Sequence, residues 1–322
     1  MDHEQFKTTP LHETFGMMVE ALGPVPIRAL PSEDVLTLFQ QQGALLFRNF
    51  KIDCEAFTEF TSTYCDSFST YQGGGFRWGK LDREKVNNNE TLLTVTGATQ
   101  SFSIPLHGEM YYMKHRPSVV WFFCEEPPAL DGETILCSGA ELYRQLGQQE
   151  QDFFSRNRLK YIRHLMHDEW PTAFQTDNIK ALREWCDDND CTLTENPDGS
   201  VTIQYLTPAV FRDPLTGHQV FINNLVLIHS VEQSIRTGLA AKVVELPRNA
   251  CPFVVRLETG DEVPTALIDN VRLIGDQLTA KISWKKGDVL MVDNRRILHG
   301  RKKCHGTDRK IFVRMGELSS AF

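Results

Sequence analysis

Short and strongly apolar runs predict buried strands near both ends of the chain. Residues 43–50 (GALLFRNF), 118–124 (SVVWFFC) and 289–292 (VLMV) are apolar at nearly every position. A strand that is buried on both faces has this continuous pattern. Residues 101–104 instead alternate polar and apolar side chains, which is typical of a strand. The core is therefore predicted to be built from strands.

Helical spacing of apolar positions occurs mainly between these strands. We predict helices over residues 13–22, 33–41, 53–64, 139–146, 150–156, 180–187 and 263–282. The sequence Asn-Pro-Asp-Gly at residues 196–199 predicts a turn that joins two short strands into a hairpin. Strands at the ends of the core with helices inserted between them favour an α+β fold.

Composition and charge narrow the class of protein. Of the 322 residues, 41% are hydrophobic, which is enough for a substantial core. The net charge is −8 and there is no basic run, so we expect no nucleic-acid partner. No apolar run approaches the roughly 20 residues that cross a membrane, so we expect no membrane association either. The polar N-terminus is unlike a signal peptide, and we expect a cytoplasmic protein.

Eight irregularly spaced cysteines are predicted to be free thiols. The chain is large and lacks a secretory signal, and both features argue against a disulfide framework. It contains no C-x-x-C pair, so we expect no structural zinc site.

His107 and Glu109 are the first candidates for chemistry. If both lie on the strand that follows residues 101–104, they share one face, because side chains two positions apart point the same way. They would supply two of the three ligands of a 2-His-1-carboxylate triad, the open-faced site of non-haem Fe(II) oxygenases. The third would be His299, just after the apolar run 289–292. Short His-x-Glu matches also arise by chance, so this pattern alone leaves a metal site and a coincidental pair open.

A zinc hydrolase is a rival that also uses two histidines and a glutamate. Its histidines usually come as H-E-x-x-H on a helix, and the chain has no such pair. Because His107 and His299 lie in different thirds of the sequence, they can meet only if one fold spans it. We therefore predict a single domain over residues 1–322, with an insertion at roughly 138–215.

Several motifs occur in an order that matches a known family. They lie at residues 43–50, 107–112, 122–128, 132–134, 159–163, 287–294, 299–301 and 308–311. The sequence resembles the Fe(II)/2-oxoglutarate-dependent oxygenases of the taurine dioxygenase and clavaminate synthase superfamily. It is most similar to the branch that hydroxylates amino acids in natural-product biosynthesis. The resemblance implies a double-stranded β-helix, a jelly-roll and cupin-like core with flanking helices and a helical insertion.

The resemblance also implies roles for individual residues. His107, Glu109 and His299 would bind Fe(II), while Arg309 and Thr134 would hold the distal carboxylate of 2-oxoglutarate. Arginine suits that task because its planar fork pairs with a carboxylate through two hydrogen bonds. Taurine-type enzymes carry a second arginine where this chain has Val313, so a sulfonate substrate held that way is not expected.

The implied activity is hydroxylation of an unactivated C–H bond with 2-oxoglutarate and O2 as cosubstrates. The substrate would be an amino acid or a derived intermediate, either free or tethered to a carrier protein. Desaturation or ring closure at the same site is an alternative, and a non-catalytic jelly-roll binding protein or a zinc hydrolase belongs to a different class. The glycine-rich loop 73–80 is either a solvent turn or a lid that brings Arg77 over the substrate.

Overall fold

The fold is described from a computed structural model, over residues 5–74, 83–95, 102–237, 251–305 and 309–320. The strands are β1 (Phe6–Pro10), β2 (Met17–Ala21), β3 (Ala44–Arg48), β4 (Cys65–Phe68), β5 (Lys85–Val86), β6 (Asn89–Thr94), β7 (Ile104–His107), β8 (Val119–Glu126), β9 (Leu130–Asp131), β10 (Thr134–Ser138), β11 (Arg158–Leu165), β12 (Cys191–Glu195), β13 (Val201–Pro208), β14 (Val210–Arg212), β15 (Gln219–Phe221), β16 (Phe253–Leu257), β17 (Ala280–Ile282), β18 (Val289–Asp293), β19 (Ile297–Arg301), β20 (Cys304–His305) and β21 (Lys310–Leu318). The α-helices are α1 (Ser32–Gln42), α2 (Cys54–Ser62), α3 (Gly139–Gln145), α4 (Gln148–Arg156), α5 (Trp170–Phe174), α6 (Ile179–Asp188), α7 (Leu225–Arg236) and α8 (Thr265–Gln277).

Two sheets pack face to face around the main core. The larger has nine strands in the order β1-β2-β3-β18-β8-β21-β6-β5, with β4 paired to β21. The smaller has the order β17-β10-β19-β7. All strand pairs in these sheets are antiparallel except β2 with β3. This is the predicted jelly-roll core of an α+β protein.

The three continuous apolar runs form β3, β8 and β18, which are adjacent in the larger sheet. Their side chains alternate between two cores, since successive residues of a strand point to opposite faces. Leu46, Phe122 and Val292 pack in the core between the sheets. Phe47 and Trp121 pack on the outer face, in a second core that includes side chains from α1 and α2. Cover on both faces explains why these strands contain so few polar residues.

The inserted segment forms a third sheet with the order β12-β13-β11-β16. The predicted hairpin is β12 and β13, whose Cys191 and Tyr205 are paired. Strand β16 joins this sheet from beyond residue 250, and α7 contacts both β16 and β7. The insertion is thereby packed against the strand that carries His107.

Two predicted helices differ from the observed elements. Residues 17–21 form strand β2 rather than a helix, because Val19 and Ala21 alternate inward and pair alongside β3. The helix predicted over residues 263–282 ends at Gln277, and Ala280–Ile282 form β17 at the edge of the smaller sheet. Within the described residues, no helix is long and apolar enough to cross a membrane. All eight cysteines are free, as predicted.

Candidate active site

Strand pairing brings the two predicted histidine ligands together. In the antiparallel pair β7 and β19, His299 lies directly opposite His107, and their ring centroids are 4.4 Å apart. The next residue, Gly300, allows this close approach. A Cβ atom there would lie 2.6 Å from the carbonyl oxygen of Ile104 on β7. Any larger residue at position 300 would push the two histidine strands apart.

Glu109 is positioned differently from the prediction. Strand β7 ends at His107, so Glu109 lies in the turn that follows and not on the strand. Asn294, a fully buried residue just after β18, holds this turn. Its Oδ1 accepts a hydrogen bond from the backbone N–H of Glu109 at 2.7 Å, and its Nδ2 donates to the carbonyl oxygens of Glu109 (3.0 Å) and Pro117 (2.7 Å). A residue from the distal half of the chain therefore fixes the backbone of the candidate carboxylate ligand.

The three side chains converge on a point that could hold a metal ion. One potential ligand atom from each of His107, Glu109 and His299 lies within 4.8 Å of the others. Glu109 Oε2 is 3.7 Å from His299 Nε2. Nδ1 of His107 is 2.8 Å from the carbonyl oxygen of Pro105, so a proton on Nδ1 leaves Nε2 for the metal. Among the described residues, no other group of three His, Cys, Asp or Glu side chains meets this spacing.

Electrostatics keep His107 and Glu109 in the protonation states that a metal requires. Burial, together with the neighbouring His299, lowers the pKa of His107 to about 3. Burial alone would raise the pKa of Glu109, but Arg83 and His299 outweigh it and hold that pKa well below its usual range. Arg83 Nη2 donates a hydrogen bond to Glu109 Oε2 at 2.8 Å. A neutral imidazole and an ionised carboxylate are therefore ready to bind a metal without first losing protons.

A second group of polar side chains forms another part of the site. Thr134 on β10 lies opposite Arg301 on β19, and Arg309 precedes β21. Trp284 Nε1 donates to Thr134 Oγ1 at 3.1 Å, which leaves the hydroxyl proton of Thr134 available for a further acceptor.

Within this group, Arg309 gives the clearest sign that the site binds another molecule. It is 5% exposed, and its Nε and Nη1 have no hydrogen-bond partner among the described residues. Burial and the neighbouring Arg301 lower its pKa to about 10. A buried cation without a partner is costly, so this end of the site fits an anion such as a carboxylate.

Trp284 and Arg301 also belong to this group and were not predicted from the sequence. Arg301 could have been found, because it lies two positions after His299 on the same strand and therefore on the same face. Trp284 lies outside the strands, and its contact with Thr134 joins segments 150 residues apart. No local pattern would have revealed that contact.

One cavity connects the triad and the Arg309 group. It spans about 850 Å³ of space between the surrounding side chains, including its opening to solvent. Its walls are mostly apolar or aromatic, with Tyr71, Phe102, Tyr112 and Leu227 among them. All five residues predicted to bind iron or 2-oxoglutarate line this cavity; they are His107, Glu109, Thr134, His299 and Arg309.

Two positions bear on substrate binding: Arg77, a predicted contact, and Val313, where taurine-type enzymes carry a second arginine. Arg77 lies outside the described residues, as does most of the predicted lid loop. Val313 is fully buried in the main core. The next residue, Arg314, instead donates to Thr61 Oγ1 on α2 at 2.7 Å and stacks on Phe68. Arg83, which sequence analysis did not single out, is the arginine that contacts the triad.

Comparisons with known proteins agree with this architecture. A family model described as "Taurine catabolism dioxygenase TauD, TfdA family" matches residues 7–315. The dapdiamide synthesis protein DdaC of Enterobacter agglomerans is 25% identical over 284 residues, which cover 86% of this chain and 82% of that protein. A clavaminate synthase-like protein of Arabidopsis thaliana is 25% identical over 303 residues, covering 87% and 86%. The crystal structure of PvcB from Pseudomonas aeruginosa has the same fold, with a TM-score of 0.58 and 16% identity over 96% of this chain and 90% of that one.

Proposed function

The chain belongs to the TauD/TfdA family of dioxygenases, which depend on Fe(II) and 2-oxoglutarate, and from that premise we propose that it hydroxylates an amino acid or an amino-acid-derived intermediate. In this reaction one atom of O2 enters the substrate as a hydroxyl group. The other enters succinate as 2-oxoglutarate loses CO2. The observation that carries the proposal is that the triad and Arg309 line one cavity, and that two nitrogen atoms of Arg309 have no hydrogen-bond partner among the described residues.

His107, His299 and Glu109 are the proposed metal ligands. These three residues would hold Fe(II) and would leave room beside it for a 2-oxo acid and O2. The bound iron supplies the oxidising power that breaks an unactivated C–H bond. The protein holds the ligand side chains in place through the β7–β19 pairing and through Asn294. Its apolar walls exclude water from the reacting groups.

Arg309 and Thr134 are the proposed partners of the distal carboxylate of 2-oxoglutarate. The guanidinium supplies the charge, and the Thr134 hydroxyl, oriented by Trp284, supplies a second donor. Charge-assisted hydrogen bonds of this kind are worth about 1.5–3 kcal/mol. They hold the cosubstrate in one orientation, so that its other end can reach the metal.

A role in natural-product biosynthesis is supported by the relatives. The dapdiamide protein is named for a synthesis, and PvcB is described as an oxygenase from an isonitrile synthetic pathway. The same arrangement of side chains also permits desaturation or ring closure, which product analysis by mass spectrometry distinguishes from a gain of one oxygen atom. The eight free thiols support the cytoplasm as the proposed compartment.

The test is an anaerobic titration of the purified protein with Fe(II) and 2-oxoglutarate. We expect a weak visible charge-transfer band to form, followed by succinate when air is admitted. His107→Ala should abolish the band. Arg309→Ala should keep it but raise the 2-oxoglutarate concentration for half-saturation by about 10- to 100-fold.

Arg272→Ala is a matched control for the arginine variant, because Arg272 lies on the surface of α8 in an exposed ion pair with Asp269. It should behave as the unmodified protein does. Absence of both the band and succinate from the unmodified protein would reject the proposed function.

A further inference from the structure

Asn224 presents a buried oxygen atom to the cavity. It immediately precedes α7, is 1% exposed, and lines the same cavity as the triad. Its Nδ2 donates to the carbonyl oxygen of Gly108 at 3.0 Å, and this bond fixes which end of the amide is the acceptor. Its Oδ1 has no hydrogen-bond partner among the described residues. A buried acceptor of this kind is complementary to an N–H or O–H donor.

Arg83 places a positive charge in another part of the cavity from Arg309. It donates to Glu109, lies 4.4 Å from the ring centre of Tyr71, and approaches the sulfur of Met315 to 3.2 Å. Met315 lies within β21 and Arg309 lies just before it, six positions away, which separates their backbones by about 20 Å. The two arginines therefore reach the cavity near different ends of β21. Since Arg309 is the proposed partner of 2-oxoglutarate, Arg83 lies on the side that remains for the substrate.

Arg83 and Asn224 contact neighbouring residues of one turn. Arg83 binds the side chain of Glu109, and Asn224 binds the carbonyl oxygen of Gly108. Both line the cavity, and the rings of Tyr71 and Tyr112 provide apolar surface beside them. A cation and a hydrogen-bond acceptor that contact adjacent residues of one cavity wall match a molecule that carries both a carboxylate and an N–H donor.

We propose that Arg83 and Asn224 form the subsite for the head group of a free α-amino acid. Arg83 attracts the α-carboxylate, and Asn224 Oδ1 accepts a hydrogen bond from the α-amino group. This inference rests on the proposed function, and it selects a free substrate over one tethered to a carrier. Tethering through the carboxyl group as a thioester or amide would remove the negative charge that Arg83 recognises.

The first experiment compares ligands on the unmodified protein. The complex with Fe(II) and 2-oxoglutarate is prepared without air, and each proteinogenic L-amino acid is added at millimolar concentration. We expect at least one to shift the charge-transfer band. For that amino acid, the α-carboxamide and the deaminated carboxylic acid should each bind about 10- to 100-fold more weakly.

The outcomes separate this inference from the function it rests on. If the band forms but none of the amino acids shifts it, the head-group subsite is wrong while the cosubstrate site stands. The subsite is also wrong if a responding amino acid and its two analogues bind equally well. If the band itself does not form, the proposed function fails.

Two variants then assign each half of the head group. Asn224→Leu removes the acceptor, together with the donor to the Gly108 carbonyl oxygen, at similar size. It should erase the difference in affinity between the amino acid and its deaminated analogue. Arg83→Gln should erase the difference between the amino acid and its carboxamide. Asn270→Leu is the control, because Asn270 lies on α8, where its side chain donates a hydrogen bond to Glu150 Oε1 at 2.7 Å.

The Arg83 variant also distinguishes a substrate anchor from a residue that only positions Glu109. A positioning role predicts that Arg83→Gln needs more Fe(II) to form the band while its preference for the carboxylate survives. That result would overturn the proposal. The ligand comparison on the unmodified protein does not depend on either variant folding.

Discussion

Asn294→Ala is expected to disturb the active site although residue 294 holds only the backbone around it. The Asn294 side chain makes three hydrogen bonds of 2.7, 3.0 and 2.7 Å, two of them to Glu109 and one to Pro117. Truncation leaves one N–H and two carbonyl groups without these partners. The residue is fully buried, so water reaches these groups poorly.

The magnitude follows from the number of bonds lost. A buried group left without its partner costs about 1–3 kcal/mol, and partial relaxation reduces the sum. We expect the free energy of unfolding to fall by about 3–5 kcal/mol, a large part of the roughly 5–15 kcal/mol of a typical domain. The Glu109 carboxylate also loses its fixed position, so iron binding should weaken in the molecules that remain folded.

Chemical denaturation measures the first effect, and an anaerobic Fe(II) titration at fixed 2-oxoglutarate measures the second. Asn294→Asp is an informative partner because it keeps an acceptor for the Glu109 N–H but turns a carboxylate oxygen toward two carbonyl oxygens. It should be damaged to a similar extent. Asn270→Ala, which removes one partly buried bond to Glu150, should cost no more than about 1 kcal/mol. The reasoning is refuted if Asn294→Ala loses less than its control and binds iron normally.

Other parts of the site lead to three shorter predictions. Trp284→Phe removes the N–H that orients Thr134. It should raise the 2-oxoglutarate concentration for half-saturation by about 3- to 10-fold, while the Fe(II) concentration that is needed stays the same. Identical 2-oxoglutarate titration curves for the variant and the unmodified protein would contradict this. Burial lowers the pKa of Arg309 to about 10, so the guanidinium loses its charge as pH rises through that value. Affinity for 2-oxoglutarate should therefore fall above about pH 10, and a flat pH profile would contradict the lowered pKa of Arg309. Gly108→Ala places a Cβ 2.5 Å from the Tyr111 ring and should cost about 1–3 kcal/mol; an unchanged denaturation midpoint would show that the ring can move.

Local patterns of apolar residues predicted the central strands, because residues that are buried on both faces of a sheet are apolar at nearly every position. The runs at 43–50, 118–124 and 289–292 are apolar on both faces, and the structure places β3, β8 and β18 between two cores. Helix prediction was weaker where a segment also suited a strand. Residues 17–21 pair with β3, and in this case tertiary pairing outweighed helical spacing.

The grouping of the three candidate ligands was predictable for a related reason. His107 and Glu109 are close in sequence, and His299 follows a buried strand, so the resemblance to a family could identify all three. The turn that holds Glu109 was not predictable, because it depends on hydrogen bonds to Asn294 across 185 residues.

The sequence by itself determined the strands, the types of side chain available for a metal, and a cation for the cosubstrate. These depend on which residues alternate, which are charged, and which lie near one another along the chain. Only the tertiary structure decided that Arg83 and Asn224 line the same cavity as the candidate metal ligands and that Trp284 contacts Thr134. Their positions depend on the register of β7, β10 and β19 and on the packing of α7, and such long-range pairings leave no periodic signal in the residues they join.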